Sequence, residues 1–142
     1  MSAGYSAGYS GTPLPRKLGI KGGHRVGTIG APAGFAAVLE PLPPGVTLRA
    51  NPRGRGSFDV LVVFVRCERE LTDRFERARA RLEPDGGLWV VWPKQSSPLA
   101  TELRESHVRA YGLSTGLVDN KVCAIDEDWS GLRFVVRLRD RL

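Results

Sequence analysis

The sequence predicts an α/β domain whose mostly parallel sheet ends in an antiparallel C-terminal hairpin. Three observations carry that reading. Two wholly apolar runs, FDVLVVFV (58–65) and LWVVW (88–92), have the character of strands covered on both faces. Segments with helical spacing alternate with the strands, and parallel neighbours need such crossovers. The last two apolar runs are joined by only a few residues, which makes them a hairpin and puts one reversed strand in the sheet.

Taken in order, residues 1–13 are Gly-, Ser- and Tyr-rich, with AGYS repeated in tandem (3–6 and 7–10). So short a repeat has no face to bury, so 1–13 is expected to be a disordered tail and 14–142 a single domain. Leu18 to Ile20 form a short apolar element before a turn at Gly22-Gly23. HRVGTIG (24–30) reads as a strand. In AGFAAVLEPLP (33–43), Phe35, Val38, Leu39 and Leu42 have helical spacing, and Pro41, Pro43 and Pro44 end the helix. GVTLRA (45–50) is a second short strand and NPRGRGS (51–57) an irregular loop. After the strand 58–65 comes a helix with Leu71, Phe75, Ala78 and Leu82 along one stripe, then a turn at EPDGG (83–87) and the strand 88–92. A helix is expected over about 99–110, with Leu99, Leu103 and Val108 inward. Strands at 116–126 and 132–138, joined through EDWSG (127–131), complete the chain.

Bulk properties narrow the classes of function. The 142 residues suit one domain, and no apolar run approaches the ~20 residues that span a bilayer. No basic start followed by an apolar segment opens the chain, so no secretory signal is visible and a cytoplasmic protein without membrane attachment is expected. Cys67 and Cys123 read as free thiols in the core of a protein in a reducing compartment. The net charge of +6 raises the question of nucleic acid, since phosphate neutralisation dominates that affinity. The basic stretch 66–83, however, interleaves Glu68, Glu70, Asp73, Glu76 and Glu83, as on a solvated helix face, and no groove-reading motif accompanies it. Nucleic acid is therefore disfavoured as a partner.

The stretch RVGTIGAPAGF (25–35) runs from strand through spaced glycines into helix, the arrangement that cradles dinucleotides. That cradle requires G-x-G-x-x-G, with an acid after the next strand for the ribose. Here Gly27, Gly30 and Gly34 are spaced three and four apart, Pro32 has no amide hydrogen to offer, and the next strand ends in Arg49, Asn51, Arg53 and Arg55. The plain reading of Gly30 and Gly34 is close backbone packing, and no cofactor is expected. A phosphate held by the Arg cluster is the alternative.

Ligands of doubly wound sheets gather beyond the carboxyl ends of the strands, where loops 30–35, 49–55, 66–68, 93–98 and 126–131 should meet. The candidate ligand-binding residues are Gly30, Gly34, Phe35, Arg49, Lys94, Ser96, Asp126, Trp129 and Ser130. Lys94 directly follows a buried strand and could receive an anion with Ser96 or Ser97 assisting; alternatively Ser97 caps the next helix. DEDWSG (126–131) gathers three carboxylates beside Trp129 but lacks the alternating acids of a calcium loop, so no metal is expected. Asp119 and Lys121, two apart in a strand, share a face and read as a structural pair. His24 and His107 have no second ligand at zinc spacing, and His107 reads as a residue late in a helix, favoured there by the dipole. Neither a catalytic residue nor a nucleophile with its base emerges.

Two resemblances extend these readings. A parallel sheet finishing in an antiparallel hairpin resembles the Rossmann-like, three-layer fold of S-adenosylmethionine-dependent methyltransferases in reduced form, with at least one strand-helix unit missing near 51–57. The strings GYSGTPLPRKLGIKGGHRV, LWVVWPK and GLVDNKVCAIDEDWSGLRFVVR resemble a family of small bacterial proteins known as a domain of unknown function. That resemblance implies a cytoplasmic Rossmann-like domain and brings no catalytic residue. The expectation is a non-catalytic protein acting through a protein partner or as a homodimer. A binder or enzyme for a phosphorylated, nucleotide-like or S-adenosylmethionine-like anionic ligand at the rim is the alternative.

Overall fold

The computed structural model describes residues 11–141. Most of the expected tail lies outside the described residues. A six-stranded sheet is built from β1 (Arg25–Ile29), β2 (Thr47–Ala50), β3 (Phe58–Phe64), β4 (Leu82–Pro93), β5 (Val118–Ala124) and β6 (Trp129–Val135), in spatial order β2-β1-β3-β4-β6-β5. Neighbours from β2 to β4 are parallel, and β6 runs antiparallel to both β4 and β5. The expected fold class is therefore the one found, with β6 as the reversed strand and Phe58–Val65 in the sheet interior.

The two faces are covered very differently. On one face lie α3 (Glu68–Arg79) and α4 (Glu105–Ser114), with Leu71, Phe75, Ala78 and Val108 packed against Leu61, Val63, Val90 and Phe134. Gly112 lets α4 close on the Phe134 ring, where a β-carbon would have no room. Among the described residues the other face carries only two four-residue helices, α1 (Leu14–Lys17) and α2 (Phe35–Val38), and their flanking turns. Leu14, Leu18, Phe35 and Leu39 there cover Val60, Val62, Phe64, Trp89 and Val91.

From the end of β2 the chain returns past β1 to begin β3 through residues 51–57, with no helix in the connection. Arg81 organises this loop: its guanidinium donates to the carbonyls of Pro52, Arg55 and Gly56 over 3.1, 2.7 and 2.8 Å. Three backbone acceptors that a helix would have satisfied internally are thus satisfied by one side chain. Arg81 and Arg25 also lie over the ring of buried Phe58, at 5.0 and 4.9 Å.

Several local expectations are corrected. Residues 83–87 form no simple turn: β4 begins at Leu82, and the register slips between the Phe58–Leu82 and Val60–Gly87 pairs, so EPDGG is a bulged extension of the strand. The helix expected at 99–110 begins only at Glu105, and Leu99 is 43% exposed. The preceding residues turn instead, with the Ser97 and Thr101 hydroxyls accepting from the Leu99 and Leu103 amides. His107 consequently sits in the first turn of α4, where its Nδ1 accepts from the Arg104 amide. Cys67 is exposed at the N-cap of α3, because β3 stops at Phe64; Cys123 is half-buried. A bulge at Asn120 parts Asp119 from Lys121: Asp119 pairs with Arg109 of α4 at 3.0 Å, while Lys121 reaches the Lys17 carbonyl on the opposite face.

Candidate functional site at the carboxyl-end rim

The order β2-β1-β3 reverses direction between β1 and β3, which makes their carboxyl ends the switch point where ligands of such sheets bind. Loops 30–34, 51–57, 65–67, 94–104 and 125–128 emerge at this end, largely as the sequence indicates.

At the switch point the structure is closed by its own side chains. Gly30, in a left-handed conformation with φ 69°, donates its amide to Asn51 Oδ1 over 2.9 Å. Asn51 has positive φ as well, and its own amide donates to the Thr28 carbonyl. Arg74 of α3 crosses behind the turn and donates from Nη1 to the Phe64 carbonyl over 2.7 Å. Its guanidinium stands where a β-carbon on Gly30 would be. The close approach for which Gly30 is needed is thus to Arg74. Gly34 caps the four-residue α2 with φ 89° and faces open space.

Phe35 and Trp129 are brought together through Phe64. The three rings meet edge to face, at 4.8 Å between Phe35 and Phe64 and 5.0 Å between Phe64 and Trp129. Both outer rings are buried, and the Arg66 guanidinium lies over Trp129 at 5.1 Å. Trp129 is therefore a core residue that closes the hairpin onto the sheet, with no open face for stacking.

The carboxylates of DEDWSG are held within the hairpin. Asp126 Oδ1 accepts the amides of Asp128 and Trp129, and Asp128 Oδ1 accepts the Ser97 hydroxyl over 2.8 Å. Lys94 donates its amide to the Asp128 carbonyl. Among the described residues no group of three His, Cys, Asp or Glu side chains converges in a metal-binding arrangement. Lys94 and Ser130 line a cavity of about 380 Å³ with Gln95, Arg104 and Ser106. Ser96 is exposed beside it, and Arg49 lies apart, exposed on the edge strand β2.

A nucleoside-bearing cofactor at a switch point needs a free amide at the glycine turn, space beside it and an acid at the end of the second strand. Here the amide is bonded to Asn51, Arg74 packs against Gly30 itself, and the second strand ends at Ala50, followed by Asn51 in place of an acid. The residues present do not fit such a group. Sequence reasoning missed Arg74, whose only signal was its place in an otherwise solvated helix face.

A family model described as "Protein of unknown function (DUF3052)" matches residues 52–138. A search of curated proteins finds no match. Solved structures similar to the chain include a SAM dependent methyltransferase from Aquifex aeolicus, 12% identical with a TM-score of 0.63 over 94% of this chain and 93% of that one. Another is the ribosomal protein L11 methylase from Lactobacillus delbrueckii subsp. bulgaricus, 14% identical, with a TM-score of 0.61 over 87% and 74% of the two chains. Fibrillarin from Aeropyrum pernix, in complex with natively bound S-adenosyl-L-methionine, is 15% identical with a TM-score of 0.62 over 92% and 76%. These likenesses establish a methyltransferase-like Rossmann fold.

Proposed function

The chain belongs to the DUF3052 family of proteins of unknown function, and from that premise we propose that it is a non-catalytic binding protein on a methyltransferase-like scaffold, acting through a protein partner or a second copy of itself. One observation carries this reading: Arg74 and Asn51 occupy, with good hydrogen bonds, the turn where a nucleoside cofactor would lie. Apolar side chains left outside the core support it further. Val122 on β5 is 51% exposed, and Leu113 at the end of α4 is open to solvent. The two sheet edges are poor docking rails, β2 being four residues long and β5 bulged and carrying Lys121. A partner would therefore meet side chains rather than open backbone.

Calorimetric titration with S-adenosylmethionine and S-adenosylhomocysteine should give no saturable heat at millimolar concentration, and a dissociation constant in the micromolar range would overturn the reading. Light scattering, with capture and mass analysis of partners, supplies the positive arm. Val122→Glu or Leu113→Glu should abolish a specific association or dimer while the melting temperature holds. An association indifferent to both variants would count against this surface.

A second reading rests on the cavity shared by Lys94, Arg104 and Ser130, which could take a small anion at the rim. Its test is a thermal-shift series with sugar phosphates and nucleotides, in which any stabilisation should vanish in Lys94→Gln.

A further inference from the structure

The thinly covered face of the sheet has an opening at the end opposite the rim. Past the end of α1 at Lys17, the described residues that cover this part of the sheet are Leu18, Gly19, Lys21 and His24. A cavity of about 350 Å³ lies there, floored by Val60 and Arg133 and walled by Lys17, Lys21, His24 and Lys121. Asp59 and Asp85 are the acidic groups among the described residues of the wall, set against Arg133, Lys121, Lys21 and Lys17.

Arg133 is the unusual member. It lies on β6, directly opposite Trp89 of β4 and Lys121 of β5. Its guanidinium rests over Gly87, where a β-carbon would leave it no room. Burial works against its charge, and Arg141 adds repulsion. Among the described residues neither Arg133 nor Lys121 joins an ion pair: the four pairs present involve Arg74, Arg79 and Arg109. Asp59 forms no ion pair with Arg133; its Oδ2 accepts the Arg25 amide over 2.8 Å. Lys121 gives its ammonium only a 3.4 Å contact with the Lys17 carbonyl, and Lys17 donates to the Ala124 carbonyl. Two cations directly across a strand pair repel each other, and the half-buried Arg133 guanidinium has no protein acceptor among the described residues, only solvent.

We propose that this cavity binds a small dianionic group of the phosphomonoester or pyrophosphate class, gripped by Arg133 and flanked by Lys121 and Lys21. An oxyanion supplies the missing acceptor in the forked geometry a guanidinium favours and relieves the repulsion between Arg133 and Lys121. The converging cations Arg133, Lys121 and Lys21 suit a dianion, and the volume stands at the lower end of the ~300–1,000 Å³ of small-molecule sites. The site lies at the end of the sheet away from Lys94, so it is independent of either reading of the rim.

The test is calorimetric titration of the full chain with pyrophosphate at low ionic strength. Saturable one-to-one binding is expected, weakened about tenfold or more in Arg133→Gln by loss of the bidentate contact and several-fold in Lys121→Gln. Lys94→Gln should bind as the parent does. Because Arg133 is half-buried, Lys121→Gln, an exposed substitution with the parent's melting temperature, carries the test should Arg133→Gln fail to fold. Absence of saturable binding up to about 10 mM, a dissociation constant range weaker than most specific sites, would overturn the proposal. So would binding unaffected by Lys121→Gln, or weakened as much by Lys94→Gln. A short DNA duplex that competes with pyrophosphate and loses affinity equally in Lys121→Gln would assign the cations to a polymer backbone and overturn the small-ligand assignment.

Discussion

The indole N–H of Trp89, in the interior of β4, donates over 3.0 Å to the carbonyl oxygen of Leu18, the residue that caps α1. This single buried hydrogen bond ties the N-terminal segment to the middle of the sheet. Trp89→Phe keeps an aromatic ring in place but leaves the Leu18 carbonyl without its donor. A loss of about 1–3 kcal/mol is expected from the unpaired carbonyl, with a further cost for the smaller ring. Chemical denaturation of the two proteins measures it, and an unchanged midpoint would show that the bond contributes nothing.

Gly30 and Arg74 should behave as a coupled pair. Gly30→Ala places a β-carbon in the left-handed region and against the Arg74 guanidinium, so it should destabilise by more than ~1 kcal/mol. In an Arg74→Ala background the clash with the guanidinium disappears, leaving the backbone strain and a tight approach to the Phe64 carbonyl. A double-mutant cycle should therefore show coupling of about 0.5–3 kcal/mol, the range for residues in contact. Additive effects would contradict the contact.

Loop 51–57 should depend on Arg81. Removing a cation that satisfies three backbone carbonyls is expected to cost about 2–3 kcal/mol in Arg81→Ala. Arg81→Lys should recover only part of this, because an ammonium cannot present the planar fork. Limited trypsin digestion offers a local readout: cleavage after Arg53 and Arg55 should accelerate in both variants while cleavage within α3 does not.

Tyr111 and Glu76 predict two limits of pH. The Tyr111 hydroxyl donates to Glu76 Oε2 over 2.7 Å, and burial first, then that carboxylate, pushes the phenol up to about 12. The neutral phenol is the favoured form in the fold, so its stabilisation is complete below the ordinary tyrosine pKa and is lost as pH rises through about 12. Glu76 is held below its usual value by Arg79 and then by Tyr111, despite opposing desolvation. Its contribution is present above the ordinary carboxylate pKa and is lost as pH falls through the lowered one. An ultraviolet absorbance titration should show a late phenol ionisation that Tyr111→Phe removes and Glu76→Gln shifts earlier.

The large features were legible because burial writes them into composition. FDVLVVFV and LWVVW could only be interior strands, and the short gap before the last strand forced the reversed neighbour. The sequence also located the rim loops, since those follow from strand order alone. Three arginines were not legible in their roles. Arg74 and Arg81 sit at ordinary polar positions of a helix and its exit, and their partners are backbone carbonyls distant in sequence. Arg133 left a clue: it interrupts an apolar run in a strand that turned out to be flanked on both sides, where a charge needs a reason. The bulges at residues 83–86 and Asn120 were hidden as well, because one unpaired residue changes a face without changing the apolar pattern.

The difference between the two sheet faces bears on how the chain can be divided. Nearly every side chain of the core under α3 and α4 comes from Phe58 onward, Ile29 being the exception. The opposite core cannot be assembled from that portion, since Leu14, Leu18, Ile20, Phe35 and Leu39 supply its outer layer. A fragment starting just before β3 would thus keep one finished half while laying Val60, Val62, Phe64, Trp89 and Val91 bare to water. So broad an oily strip invites self-adhesion, which makes the segment from Leu14 to Leu39 a solubility shield as much as a part of the architecture.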